Sequence, residues 1–527
     1  MKQFLRRATT RLSVSSAATL LIGVTLVGQA LGFLRNRLIS TNFTVTDPGA
    51  SDAFFAAFQI PDFFFFTISA GALGVAFIPF LADRLQAGDK KGAWDLTNSL
   101  LNILAIVMCL VSVTIFVFAG PLMHLLAPNL PPDHLHQAIT IMRLIALNPL
   151  LFTLAGIITS VQQTFGRFFF YAVAPLVYNL SIIISIYVFK DSMGIVGLGV
   201  GALIGGILQL LVALVGMWGL GFKYRMHISW KNLKFQAMLR QLPPRSLDQG
   251  IDQVNSIVEV NRAQALGTGP VSYYNFALTL QNVPVMLLGN SIATAAFPRL
   301  AERLSQGRPD LFQRDFLKIL GVMIWLALPV VVISYFARGY LARLIFGNAS
   351  PQVALIFGFL SAAIFFRIIY TIISRYFYAH KDSVTPLLVS IFAIGLNIYL
   401  AFTLARKDSY DISGLAIAQS IVAATEVIIL MILIVFRDHK FFSLKFMDSL
   451  VRMLSATGFT VVAAYIMIQF IPLGVSDKGF VTLGSKLIAI SGVTLTVYIV
   501  VSLLIGLDEP KPILNRIKRI ILKPVKV

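Results

Sequence analysis

The chain has 527 residues, of which 57% are hydrophobic and only 13% charged, against about 45–50% and about 25% in soluble domains. That balance excludes a soluble multi-domain enzyme and puts most of the chain in a membrane. A net charge of +20 does not make it a nucleic-acid binder, because the basic residues lie between apolar runs rather than on one face. The lone Cys109 excludes an internal disulfide and a cysteine metal cluster.

The first apolar run, 13–34, follows Lys2, Arg6, Arg7 and Arg11. It is long for a signal-peptide core and lacks a clear cleavage site, so it reads as a retained first span. Further windows long enough to cross a bilayer lie at 53–81, 97–119, 138–163, 168–189 and 194–221. Six more follow at 246–266, 271–297, 315–337, 353–374, 385–405 and 412–436, and a last pair at 453–472 and 483–506. The expected fold is thus an all-α polytopic membrane protein of about fourteen helices, in two six-helix lobes plus two C-terminal helices. The corresponding division is an N-lobe at 1–222, a C-lobe at 223–437, a helix pair at 438–507 and a basic tail at 508–527.

Two pairs of short stretches support the duplication. Pro79-Phe80-Leu81-Ala82-Asp83-Arg84-Leu85 is echoed by Pro298-Arg299-Leu300-Ala301-Glu302-Arg303-Leu304, and Ile195–Gly201 by Ile412–Ala418. Both pairs stand roughly 220 residues apart, the signature of a repeated half. Two membrane-embedded halves point to a transporter with its substrate site where they meet. Basic residues concentrate in alternate loops, including Lys223 through Arg245 and Arg437 through Arg452, whereas Thr41–Ser51 and Gly120–Asp133 carry none. The positive-inside rule then sets both termini in the cytoplasm. The tail, with Lys511, Arg516, Lys518 and Arg519, suits either anionic headgroups or a frayed anchor.

The seventh window carries the polar chemistry. Asp248, Asp252, Asn255, Glu259 and Arg262 are spaced to stack on one helical face. Charged groups facing lipid are costly, so the stripe is expected to line a central hydrated cavity. The alternative is an interfacial start with Glu259 and Arg262 as a structural ion pair. Arg35 ends the first window: it is either a headgroup anchor or an inward guanidinium suited to phosphate oxygens. Asp52 opens the second window as a cavity residue and a partner for Arg35 or Arg37. Gln59, Pro61 and Asp62 interrupt that window, and Pro284 interrupts the eighth, so each half has a candidate kink. Asn102, Asn148, Asn179, Asn397, Gln419 and Glu426 sit in apolar runs, most simply as interhelical glue, and Arg367 with Glu426 is a candidate cross-helix pair. No paired-histidine zinc motif or phosphate-binding glycine loop occurs, and no extramembrane stretch is long enough for a catalytic domain. Transport would then draw on an ion gradient, the membrane potential or downhill flux.

Several motifs in order resemble the MurJ (MviN) family, lipid II flippases of the multidrug/oligosaccharidyl-lipid/polysaccharide exporter superfamily. Gly32-Phe33-Leu34-Arg35 resembles its G-F-x-R, and Asp52-Ala53-Phe54-Phe55 through Phe77-Ile78-Pro79 its second-helix pattern. Gly166-Arg167-Phe168 with Ala174-Pro175 and Asn179, Gln253-Val254-Asn255 with Val258-Glu259, and Tyr376-Phe377-Tyr378-Ala379 through Asp382 and Thr385-Pro386 continue the match. The chain departs from the pattern at Gln29, Asn36, Gln59 and Ala70, and its eighth-helix Y-A-x-R reads Phe276-Ala277-Leu278-Thr279. Arg35 is the clearest surviving cavity cation, with Arg37 or Arg262 as compensating candidates.

The resemblance implies a non-enzymatic bacterial inner-membrane flippase, without cofactor, that carries lipid II outward by alternating access. Arg35 would hold the pyrophosphate, and the last two helices would offer an apolar groove to the prenyl tail. Glu259 and Asn397 match family positions associated with sodium, which makes them a candidate Na⁺ or H⁺ coupling site; no firm metal site is expected. Besides the substrate, the expected partners are membrane lipids and cell-wall synthesis enzymes, with no nucleic acid. The alternatives are a flippase for another polyprenyl-linked saccharide, a small-molecule antiporter on the same scaffold, or a non-transporting envelope scaffold.

Overall fold

The computed structural model describes residues 14–70, 77–347, 350–477 and 479–511. The Gly71–Ala76 part of the second-helix motif and the tail beyond Lys511 lie outside them. Every regular element among the described residues is helical. Eleven helical stretches are long and apolar enough to cross a membrane. The described residues of the windows expected at 13–34, 53–81 and 246–266 are helical as well, which accounts for the difference from the count read in the sequence. The third of these is too charged to qualify on hydropathy, and in the second the α-helix gives way to a π-helix at Phe65–Ala70.

The chain forms two compact units, Met1–Ser272 and Tyr273–Val527. The first contains α1 (Val14–Ile39), α2 (Pro48–Phe64), α3 (Ile78–Gln86), α4 (Lys90–Leu126), α5 (Pro132–Ile145), α6 (Asn148–Thr164), α7 (Phe169–Met193), α8 (Val196–Gly216) and α9 (Leu233–Ala265). Helix α1 runs on into a π-helical turn at Ser40–Thr44, and α2 into another at Phe65–Ala70. Helices α7 and α8 pack most extensively because α8 offers glycines to its partner. A Cβ at Gly201 would lie 2.2 Å from Ser185 Oγ, and one at Gly205 would lie 2.9 Å from the Tyr178 ring. In lipid, where apolar association gains little from water, this close backbone approach drives helix pairing.

Helix α9, assigned by sequence to the second lobe, packs against α2, its π-helical turn and α4 of the first unit. The segment leading to it lies extended along α4. There Asn98 donates to the Lys223 carbonyl and accepts from the Arg225 amide, both at 3.1 Å, while Asn102 donates to the carbonyls of Arg225 and His227. Two asparagines of α4 thus tie this exposed segment, which has no regular structure, to the helix.

The second unit contains α10 (Pro270–Pro284, apart from its first turn), α11 (Ser291–Ser305), α12 (Pro309–Phe336), α13 (Arg338–Phe346), α14 (Ser350–Ala379), α15 (Val384–Leu404), α16 (Ser413–Arg437), α17 (Leu444–Phe470) and α18 (Phe480–Leu504). A π-helical turn at Val285–Asn290 follows Pro284. The turns at Phe65–Ala70 and Val285–Asn290 stand at the same roughly 220-residue spacing as the sequence repeats, so both halves carry the distortion. Each follows a proline, Pro61 or Pro284, that cannot donate to the carbonyl one turn back. The last helix pair packs on α12 and α13. Trp325 Nε1 donates to Ser502 Oγ at 3.1 Å and Arg343 to the Gly474 carbonyl at 2.7 Å.

The junction between α14 and α15 is fastened by Asp382. Its carboxylate accepts the Val384 and Thr385 amides at 3.1 and 3.0 Å and the Thr385 hydroxyl at 2.7 Å, and it meets Arg437 at the end of α16. Burial opposes its charge, but the Thr385 bonds and the Arg437 guanidinium outweigh that effect and bring the pKa down to about 2.

Candidate functional site

Helix α1 extends past the window read from the sequence, so Arg35 sits inside a helix that runs to Ile39 rather than at its tip. Its guanidinium is half-buried and points at α7. One terminal nitrogen donates to Asn179 Oδ1 at 3.1 Å, while Nε and the other terminal nitrogen donate to Asn36 Oδ1 at 3.3 Å. The Asp62 carboxylate of α2 and the Tyr178 phenol lie close enough to act on its charge. The fork is therefore oriented by two amides, with donor capacity remaining for an anion. Between α1 and α7 a cleft of about 530 Å³ is lined by Gln29, Tyr171, Pro175 and Asn179 among others. Sequence reading treated Asp62 as an interruption and Asn179 as glue. An acid inside a span was itself the available signal.

Asp52 is placed differently from expectation. It is fully buried, and its carboxylate accepts the Gly269 amide, the Ser272 amide at 2.8 Å and the Ser272 hydroxyl at 2.6 Å. It meets the N–H groups at the start of α10, not Arg35 or Arg37. A helix N-terminus attracts a carboxylate by dipole and by direct bonds together. Asp52 is a latch within the first unit.

Along α9, Asn255 donates to Glu259 Oε1 at 3.1 Å, and Glu259 is only 5% exposed. Arg262 is half-buried one turn further on. The backbone at Asp248 and Asp252 is helical, but their side chains lie outside the described residues. Beside the stripe, Ser256 donates to Gln59 Oε1 at 2.9 Å, and Gly250 fits against Thr67. Asn261 donates to the Leu126 carbonyl at 2.9 Å. These contacts join α9 to α2 and α4 on the face next to the stripe.

In the second unit, Asn397 is buried on the α15 face formed by Pro386, Val389, Ala393 and Ala401. It and Glu259 belong to different units. The cross-helix pair considered from the sequence is present: an Arg367 terminal nitrogen lies 3.8 Å from Glu426 Oε2. Ser390 donates to Glu426 Oε1 at 3.0 Å and exchanges a hydrogen bond with the Tyr370 hydroxyl at 3.1 Å. Glu426, expected as simple glue, thus centres a polar network on α14, α15 and α16. Among the described residues no group of histidine, cysteine and acidic side chains has the arrangement of a metal site.

The geometry is that of an apolar helical protein holding oriented charges inside its spans, which suits passage of a polar, anionic head rather than bond chemistry. Comparison with known proteins agrees. Residues 44–505 match the family model described as lipid II flippase MurJ. A probable lipid II flippase MurJ of Rhizobium meliloti is 24% identical over 514 residues, covering 94% of this chain and 95% of the relative. One from Buchnera aphidicola is 26% identical over 387 residues, covering 71% of this chain and 75% of that one. Among solved structures, a lipid II flippase MurJ in an inward closed conformation superposes with a TM-score of 0.78 at 20% identity, over 94% of this chain and all of the other. An inward-facing multidrug transporter of the MATE family gives 0.63 at 15% identity, over 79% and 98%. The chain belongs to the MurJ family of lipid II flippases.

Proposed function

We propose that this protein moves lipid II, the undecaprenyl-pyrophosphate-linked peptidoglycan precursor, from the inner to the outer leaflet of the bacterial cytoplasmic membrane. The observation that carries the reading is Arg35, a guanidinium inside a span, oriented by Asn179 and Asn36. A planar fork held in this way matches phosphate oxygens in two contacts, which a lysine cannot do. The sugar-peptide head would travel through polar space flanked by the α9 stripe while the prenyl tail stays in lipid. Alternation would come from two lobes of six helices rocking about a fixed site, with both termini cytoplasmic. The prolines and π-helical turns of α2 and α10 are the natural places for such bending.

The test is depletion in the native host, followed by measurement of which lipid-linked precursor accumulates on the cytoplasmic side. Accumulated lipid II supports the proposal. The absence of a helix-eight arginine, where Thr279 stands, favours a second reading, transport of another polyprenyl-linked saccharide. Accumulation of that other precursor with normal lipid II export would replace the first reading by the second.

A further inference from the structure

Arg367 stands well inside α14, about 18 Å along the helix axis from its end at Ala379. That depth is beyond the reach of a side chain seeking headgroups. Its side chain is still 36% exposed, so it opens onto space rather than being packed away. Its ion-pair partner is Glu426, and the 3.8 Å separation is too long for a charge-assisted hydrogen bond. Glu426 itself is held by Ser390, which is tied in turn to Tyr370. The carboxylate is fixed from behind, while most of the five guanidinium N–H donors remain for something else.

The surroundings indicate which way this face of α14 looks. Ile368, the next residue, and Thr371, one turn on, pack against Gly289 in the π-helical turn that follows Pro284. Two turns on, Arg375 lies 5.3 Å from the Phe297 ring centre of α11 and 5.8 Å from that of Tyr378. Arg375 is thereby sheltered by aromatic faces, whereas Arg367 is open. A guanidinium turned to hydrocarbon at this depth would be costly, so the open side must be polar when the protein is in its membrane.

We propose that Arg367, held by the Glu426–Ser390–Tyr370 network, is a binding cation for the diphosphate of the transported lipid. It supplies from α14 the positive charge that Thr279 does not supply from α10. The inference deepens the flippase reading and rests on it. Glu426 is a positioning residue: it offsets the charge when no lipid is bound and yields the fork to phosphate oxygens when one is.

The experiment uses the purified full chain in nanodiscs and measures bound lipid by native mass spectrometry, with undecaprenyl pyrophosphate, undecaprenol and lipid II as probes. The native chain is expected to prefer undecaprenyl pyrophosphate to undecaprenol. Arg367→Met should cut that preference about tenfold or more, the effect of one charge-assisted hydrogen bond, and Arg367→Lys should restore part of it. Glu426→Gln, which removes the carboxylate that competes for the guanidinium, should raise the preference above the native level. An unchanged preference in Arg367→Met overturns the proposal, as does a native chain that ignores the diphosphate. Equal losses of heat stability in Arg367→Met and Glu426→Gln, with the preference intact in both, would reduce the pair to a structural strut. If the native chain takes undecaprenyl pyrophosphate through Arg367 but refuses lipid II, the choice of substrate falls while the role of Arg367 stands.

Discussion

Replacing Asp52 separates a structural latch from a substrate ligand. In the folded chain one carboxylate oxygen accepts the Gly269 amide, and the other accepts the amide and hydroxyl of Ser272, all in a fully buried position. Asp52→Asn puts an amide nitrogen where one of those oxygens stood, so a buried N–H faces another donor. An unmet buried donor costs about 1–3 kcal/mol, and losing the negative charge at a partly buried helix start adds up to ~2 kcal/mol. Asp52→Asn should therefore destabilise by about 3 kcal/mol and Asp52→Ala, which strands all three donors, by more. Heating of a large membrane protein is irreversible, so the quantity to compare is the rate at which folded, monodisperse protein disappears at fixed temperature. The expected order of persistence is native, then Asp52→Asn, then Asp52→Ala. Ser272→Ala should cost about 1 kcal/mol in the native background and almost nothing in the Asp52→Ala background, because the two residues share the interaction. Native heat stability in Asp52→Asn, together with lost transport, would refute this reasoning and return Asp52 to the cavity role read from the sequence.

Three further outcomes are open to direct measurement. Arg35→Ala should abolish complementation of a flippase-depleted strain at normal expression, and Arg35→Lys should rescue only partly because an ammonium lacks the planar fork; full activity of the alanine variant would leave Arg35 an anchor. If Glu259 and Asn397 serve cation coupling, transport should rise with sodium or with a proton gradient, and Glu259→Gln and Asn397→Ala should each remove that dependence; ion-independent activity surviving both would exclude it. Asp382 has a folded pKa of about 2, below the ordinary value of about 4. Its stabilisation is then complete above the unfolded value and lost as pH falls through the folded one. The heat stability of the native chain should converge on that of Asp382→Asn between about pH 4 and pH 2, and parallel profiles across that window would count against the cap.

Much of the architecture was legible because its causes are local. Spans are set by the length of apolar runs against the thickness of a bilayer, and the described residues of the fourteen windows are mostly helical. The repeat was visible in Pro79–Leu85 and Pro298–Leu304, and the paired π-helical turns after Pro61 and Pro284 follow the same spacing. The family was readable from an ordered set of motifs, one of which, at Asp382 and Thr385, turns out to be a helix cap joined to Arg437. Partners are another matter, because a hydrogen bond between distant residues depends on the direction of a side chain after helices have packed. Nothing in the residue order tells Asp52 to choose the amides of Gly269 and Ser272 over a nearby arginine. That choice follows from bringing a helix start, with its unmet N–H groups, against a buried carboxylate. Periodicity likewise put Glu259 on a polar stripe, yet only packing buried it beside Asn255 while Ser256 and Gly250 met α2 and its π-helical turn. Spacing along one helix is written in the sequence; which charge faces which across helices is decided by close packing, because the rotation of each helix about its own axis is a property of the assembled bundle.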